Sequence, residues 1–300
     1  MYNLEELIPN FPGREESLQQ VKRFRRLPMC YRTNLDDHQR MVYWMTQELL
    51  EITAKKSYVE VNELEALTLA IVHDDAEMIT GDLQYGDRLL MSEDEIERHE
   101  NGERKAIESL VERYGDKVNG FSYGTMLSQA LHKDTVVGQF VSYADKLVGF
   151  GESWHELYAG NKNFLIDLMI GNTPTLTYID IFKNRKNKWP LLTEIFQQNN
   201  PLLNLPGKTD VVKITAEGKP HTKESLGLKT GNGIYDCYKE VLLRRGRERG
   251  KKILLEPEEE SSELSWRGME KAINTLYQES KYKHNIRHLL THLQPFLGQE

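Results

Sequence analysis

Apolar positions recur at spacings of three and four through roughly the first two hundred residues, with few alternating β-branched stretches, which restricts that part of the chain to a nearly all-helical architecture. Start and stop signals divide it. Asp36 or Asp37 is suited to cap a helix running to about Lys56, and Asn62, with Glu65 three residues on, forms a capping-box pattern for a second helix ending near His73. Ser92 and Glu95 repeat that signal before a heavily charged helix reaching about Tyr114, where Gly115 offers a stop. A further helix, from about Thr135 to Tyr158, carries Asp145 among the apolar residues Val141, Ala144 and Val148.

After Gln198 the texture turns rich in Pro, Gly and polar residues, as expected of loop or a small hairpin. The expected organisation is therefore an all-α catalytic domain over residues 1–198 and an appendage of loops and short helices over residues 199–300. Within the appendage, Tyr235 to Arg249, Trp266 to Glu279 and Lys283 to Phe296 read as helices.

Composition sets bounds on function. A net charge of -7 is unlike that of a generic polyanion binder. Cys30 and Cys237 are too few and too far apart in sequence for a disulfide framework, which fits a reducing, cytoplasmic setting. No apolar run is long enough for a membrane span, and the N-terminal stretch lacks the pattern of a secretory signal.

His73 and Asp74 stand side by side at the end of the apolar run LEALTLAIVHD, with His38 upstream and Asp145 downstream. Two imidazoles and two carboxylates suit Mn2+, Fe2+, Co2+, Ni2+ or Zn2+ and argue against Mg2+ or Ca2+ as the resident ion. Neighbouring helix residues point about 100° apart, so His73 and Asp74 grip one ion only near a helix end. Taken singly, each has a plainer reading, as a satisfied polar group or a hydrogen-bonded helix residue. Glu77 falls on the same face if the helix continues, placed to orient or deprotonate water, and Asp82 in the following T-G-D turn is placed to protonate a leaving oxygen. Thr80 and Gly81 are equally consistent with turn chemistry.

The stretches RFRRLPMCYRTNLDDH, HDDAEMITGDL, SYADKLVGF and ELYAGNKNFL together resemble the HD-domain metal-dependent phosphohydrolases, most closely the bacterial 5'-deoxynucleotidase branch, over about residues 20 to 170. The resemblance implies an HD-domain helical bundle, commonly dimeric or a higher homo-oligomer. It implies His38, His73, Asp74 and Asp145 as metal ligands, Glu77 and Asp82 as proton-handling residues, and hydrolysis of a deoxynucleoside 5'-monophosphate. It further implies Arg23 for phosphate or sugar contact, Phe24 as the wall where a 2'-hydroxyl would sit, and Thr80 in the substrate site. The chain departs from the branch in having Phe24 where Trp is usual, and in placing Arg32 one position later than the second Arg.

Two other readings compete. Lys22, Arg23, Arg25, Arg26 and Arg32 crowd the approach to His38, which also suits a deoxynucleoside triphosphate cleaved to tripolyphosphate. A regulatory module with a vestigial site, binding nucleic acid through RRGRERGKK, is the other; that run lacks interleaved aromatics and is more often a solvated helix end, neutralised here by the nearby EPEEESSE. His284, His288 and His292 form a four-spaced stripe with no carboxylate or Cys to complete a second metal site. Trp44, Trp154 and Tyr158 read as core or dimer contacts, and Asn161 and Asn163 as pocket or turn residues.

Overall fold

A computed structural model describes residues 2–25, 27, 29–54, 59–83, 88, 91–161, 164, 174–203 and 220–257. Its longer helices are α1 (Leu35–Thr53), α2 (Glu63–Val72), α3 (Glu93–Tyr114), α4 (Tyr123–His132), α5 (Val136–Tyr158), α6 (Pro174–Lys183), α7 (Gly233–Arg245) and α8 (Arg247–Leu255). A two-residue antiparallel pair, β1 (Lys117–Val118) with β2 (Phe121–Ser122), is the sheet among the described residues.

Several boundaries follow the short-range signals. Ser92 and Glu95 make a reciprocal capping box, and Gly115 ends α3 in a left-handed conformation that glycine reaches without steric cost. Two caps differ from expectation. Asn34, not Asp36 or Asp37, caps α1 by accepting from the Asp37 amide at 2.9 Å, which leaves both aspartates free to pair with arginines. Asn62 does cap α2, but the Glu65 carboxylate accepts from the Gln129 side chain at 3.2 Å, so only half the box forms. The first helix ends at Thr53, earlier than expected.

α1, α2 and α5 pack together at the centre, with Met41, Met45, Leu67, Ala70, Ala144 and Val148 fully buried between them. Burying each of the methionine, leucine and valine side chains contributes about 1.5–3 kcal/mol, so this contact fixes the relative placement of the helices. Trp44 and Trp154 lie in the same core.

α7 and α8 extend that core beyond the point where the sequence changes texture. Tyr238 of α7 packs so closely on α5 that a Cβ at Gly151 would overlap its ring. The basic run expected to be a solvated helix end is instead tied to α1: Arg244 and Arg245 bond Glu48, and Arg249 bonds both Asp36 and Asp37. Among the described residues, Lys252 reaches toward the start of the acidic stretch, to Glu256 at 3.8 Å. Cys30 and Cys237 are free thiols. Among the described residues no helix is long and apolar enough to cross a membrane. The expected helices around 266–279 and 283–296, the His284, His288 and His292 stripe, Arg26 and Asn163 lie outside the described residues.

Candidate metal centre

α2 stops at Val72, and residues 73–76 form tight turns, with the Asp75 amide donating to the Val72 carbonyl and the Glu77 amide to the Asp74 carbonyl, both at 2.9 Å. α2 thus ends near His73 as expected, with a break before a short helical turn, Glu77–Thr80. The break solves the geometric problem of adjacent ligands, since His73 and Asp74 turn to one side while Asp75 turns inward.

Asp75 is wholly buried in a separate network. Arg14 donates to both its carboxylate oxygens at 2.6 and 2.7 Å, and Gln39 and Tyr123 add bonds at 2.8 and 2.7 Å. This anchor holds the turn from behind, a role for Asp75 that its sequence neighbours did not signal.

His38 of α1, His73 and Asp74 bring one ligand atom each within 4.8 Å of one another. His38 Nε2 lies 3.4 Å from Asp74 Oδ2, and His73 Nε2 lies 3.1 Å from the same oxygen. Asp145 of α5 sits outside this tight group but meets it at His38, Oδ1 to Nε2 at 3.2 Å, while its Oδ2 takes the Lys146 ammonium at 2.6 Å. His73 Nδ1 faces the Ala70 carbonyl at 2.9 Å; a carbonyl can only accept, so Nδ1 carries a proton and Nε2 is the ring nitrogen turned toward Asp74. Both His38 nitrogens and His73 Nε2 are buried without a hydrogen-bond partner. Buried polar atoms are normally satisfied, so nitrogens converging unsatisfied on carboxylate oxygens fit a cation held between them.

The titration directions agree with a strongly coupled acidic site. Burial and the nearby Arg23 push His38 down, whereas Asp74 lifts His73 against the effect of burial. Burial works against the charge on Asp74 and on Asp145, but the histidines hold Asp74 low, and Lys146 and His38 hold Asp145 well below the carboxylate range. Burial, reinforced by Asp74 and Asp82, raises Glu77 well above it; burial and Asp74 raise Asp82 against the pull of Arg23.

The segment before α1 closes over this group. Arg23 is buried, with Nη1 3.9 Å from Asp74 and Nη2 3.5 Å from Glu152. Phe24 has a left-handed backbone (φ 49°), a conformation costing a non-glycine residue about 1–3 kcal/mol, and its ring meets Phe164 edge-on at 5.4 Å. Its amide donates to Asp82 Oδ2 at 3.3 Å. Arg32 donates to the carbonyls of Arg23, Phe24 and Leu27 at 2.7, 2.9 and 2.8 Å, so in this structure it staples the loop. Thr80 lines a cleft of about 670 Å³ beside Glu77, together with Lys22, Arg25, Arg32, Met78 and Ile79.

Two further residues at the centre were not singled out from the sequence. Glu152 lies two turns after Asp145 on α5, 3.8 Å from His38 Nδ1. Tyr178 of α6 fills the space left by Gly149, where a Cβ would overlap its hydroxyl. A charged residue seven positions after Asp145 on an apolar helix was the one clue to Glu152; nothing local pointed to Tyr178. Asn161 donates to the buried Glu156, which also accepts from the Cys30 and Tyr31 amides at 2.8 and 2.6 Å.

A 5'-deoxynucleotidase of Vibrio vulnificus (strain YJ016) is 27% identical over 138 residues, covering 44% of this chain and 67% of the relative. A 5'-deoxynucleotidase of Vibrio parahaemolyticus serotype O3:K6 is 28% identical with the same coverage. Among solved structures, a conserved hypothetical protein from Pyrococcus furiosus aligns at a TM-score of 0.45 and 22% identity, covering 61% of this chain and 92% of that one. The sequence profile of the YfbR-like 5'-deoxynucleotidases matches residues 11–168, more than half of the chain, and the chain belongs to that family.

Proposed function

We propose that this protein is a metal-dependent phosphohydrolase that converts deoxynucleoside 5'-monophosphates to deoxynucleoside and phosphate. The observation that carries the reading is the convergence of unsatisfied His38 and His73 nitrogens on the carboxylate oxygens of Asp74 and Asp145. These four residues would hold Mn2+, Co2+, Fe2+, Ni2+ or Zn2+. When bound, such an ion supplies Lewis acidity to water and to the phosphoryl group.

The chain's own groups do the rest. Arg23 carries a fixed positive charge against Asp74 and Glu152, where it can pair with phosphate oxygens. Glu77 holds and moves a proton: its carboxyl is raised, and its buried Oε2 has no hydrogen-bond partner to restrain it. Asp82 shares the proton chemistry while also holding the Phe24 amide. The Phe24 ring leaves a ribose 2'-hydroxyl unpaired, which favours deoxyribose, and Thr80 borders the substrate cleft. The substrate is a free deoxynucleotide, and the assembly a homodimer or higher homo-oligomer in the cytoplasm; residues 199–300 are an extension of the hydrolase domain, whose helices α7 and α8 share its core.

The basic flank of the cleft, Lys22 and Arg25, favours one second reading, release of tripolyphosphate from a deoxynucleoside triphosphate. Incubation with dNMPs, dNTPs and ribonucleotides under Mn2+, Co2+ and Zn2+ separates the two by product. Inorganic phosphate from dNMP supports the first, tripolyphosphate supports the second, and turnover of neither removes both.

A further inference from the structure

We infer that Glu152 is a positioning residue that couples the metal ligand His38 to the substrate arginine Arg23. Its side chain is buried on the face of α5 that also carries Asp145, since seven residues make two helical turns. One carboxylate oxygen, Oε1, is fixed by the Thr33 hydroxyl at 2.5 Å. The other, Oε2, has no hydrogen-bond partner, yet lies 3.5 Å from Arg23 Nη2 and 3.8 Å from His38 Nδ1.

His38 Nδ1 is also buried and unpartnered. With Nε2 turned toward Asp74 and Asp145, a ring ligating through that nitrogen carries its proton on Nδ1 and needs an acceptor there. Glu152 Oε2 faces it, and a movement of about 0.6–1 Å brings the pair to ordinary hydrogen-bond distance. A carboxylate behind a ligating histidine fixes its tautomer and orientation and raises its basicity, and losing one typically weakens metal binding about 10–100-fold. The same oxygen supplies the counter-charge that holds Arg23 beside the site. One helix thereby provides a ligand, Asp145, and the group that aligns a second ligand and the phosphate contact.

The inference rests on the metal reading above, so its test separates the two. Mn2+ and Co2+ are titrated calorimetrically into the wild type, Glu152→Gln and Thr33→Val, with thermal unfolding of each metal-free protein alongside. The expected result is about 10–100-fold weaker binding for Glu152→Gln, which keeps the shape but removes the charge, and a smaller loss for Thr33→Val, which frees the carboxylate without neutralising it. Imidazole NMR of the Zn2+-loaded wild type, which needs no variant to fold, should show a slowly exchanging His38 Nδ1–H. Binding by a folded Glu152→Gln within twofold of the wild type, or a rapidly exchanging Nδ1–H, overturns the role of Glu152 alone. A wild type that binds neither ion overturns the metal reading with it.

Discussion

His73 commits its Nδ1–H to the Ala70 carbonyl at 2.9 Å and turns Nε2 toward Asp74 Oδ2 at 3.1 Å, an approach that calls for a cation, proton or metal, between lone pair and carboxylate. Asp75, the next residue, faces away and is saturated by Arg14, Gln39 and Tyr123. Two adjacent aspartates therefore serve opposite ends.

Asp75→Asn should destabilise the fold by about 3–5 kcal/mol, because it leaves the Arg14 guanidinium buried without its counter-charge. Asp74→Asn should cost less than Asp75→Asn in the metal-free protein while abolishing tight metal binding. Urea unfolding and metal titration of the two variants check this, and equal destabilisation would contradict the division of labour.

Arg32 closes three carbonyls with one planar guanidinium, offsetting the left-handed backbone of Phe24. A lysine ammonium cannot reproduce that fork. Arg32→Lys should raise KM for a dNMP about tenfold through a loosened Arg23–Phe24 loop, with a smaller change in kcat, as expected for lost substrate positioning. Steady-state kinetics at saturating metal decide it.

Phe24→Ala should open the sugar wall and admit ribose. The ratio of kcat/KM for a dNMP to that for the matching NMP should fall about tenfold, mostly through better use of the ribonucleotide. An unchanged ratio would remove Phe24 from sugar selection.

His155 predicts a pH dependence of stability. Its Nε2–H donates to the Leu254 carbonyl at 3.2 Å and its Nδ1 accepts from the Tyr235 hydroxyl at 2.9 Å, an arrangement for the neutral ring. Burial and the His221 ring stacked at 4.1 Å push it well below the usual histidine range. The unfolded chain therefore takes up the proton first, near pH 6.5, and the contribution of His155 is fully present above that value and lost as pH falls below it. The loss approaches about 1.4 kcal/mol per pH unit. Burial pushes Glu156 upward, which acts in the opposite sense, so the decisive comparison is wild type against His155→Asn between pH 7.5 and 5.5. The wild type should lose about 1 kcal/mol more than the variant across that interval.

The sequence revealed features set by short-range chemistry. The Ser92–Glu95 box, the Gly115 stop and the span of α5 follow from side chains a few residues apart, and the sequence singled out His38, His73 and Asp74, which the fold brings together, with Asp145 meeting them at His38. Tertiary partners decided the rest. Asn34 rather than Asp36 or Asp37 caps α1, both aspartates pairing with Arg249, and Arg14 draws Asp75 inward, away from Asp74. Glu152 and Tyr178 reach the centre through helix packing, which the sequence hints at for Glu152 by its seven-residue spacing from Asp145 and does not signal for Tyr178.

The most direct test is a paired measurement on wild type and His73→Ala: Mn2+ or Co2+ binding by calorimetry, with phosphate release from a dNMP panel in the same buffer. The predicted result is one tightly bound ion per chain and phosphate release by the wild type, both reduced more than about 100-fold in the variant. Metal-independent turnover, or undiminished turnover by His73→Ala, would contradict a hydrolytic centre built on His38, His73, Asp74 and Asp145.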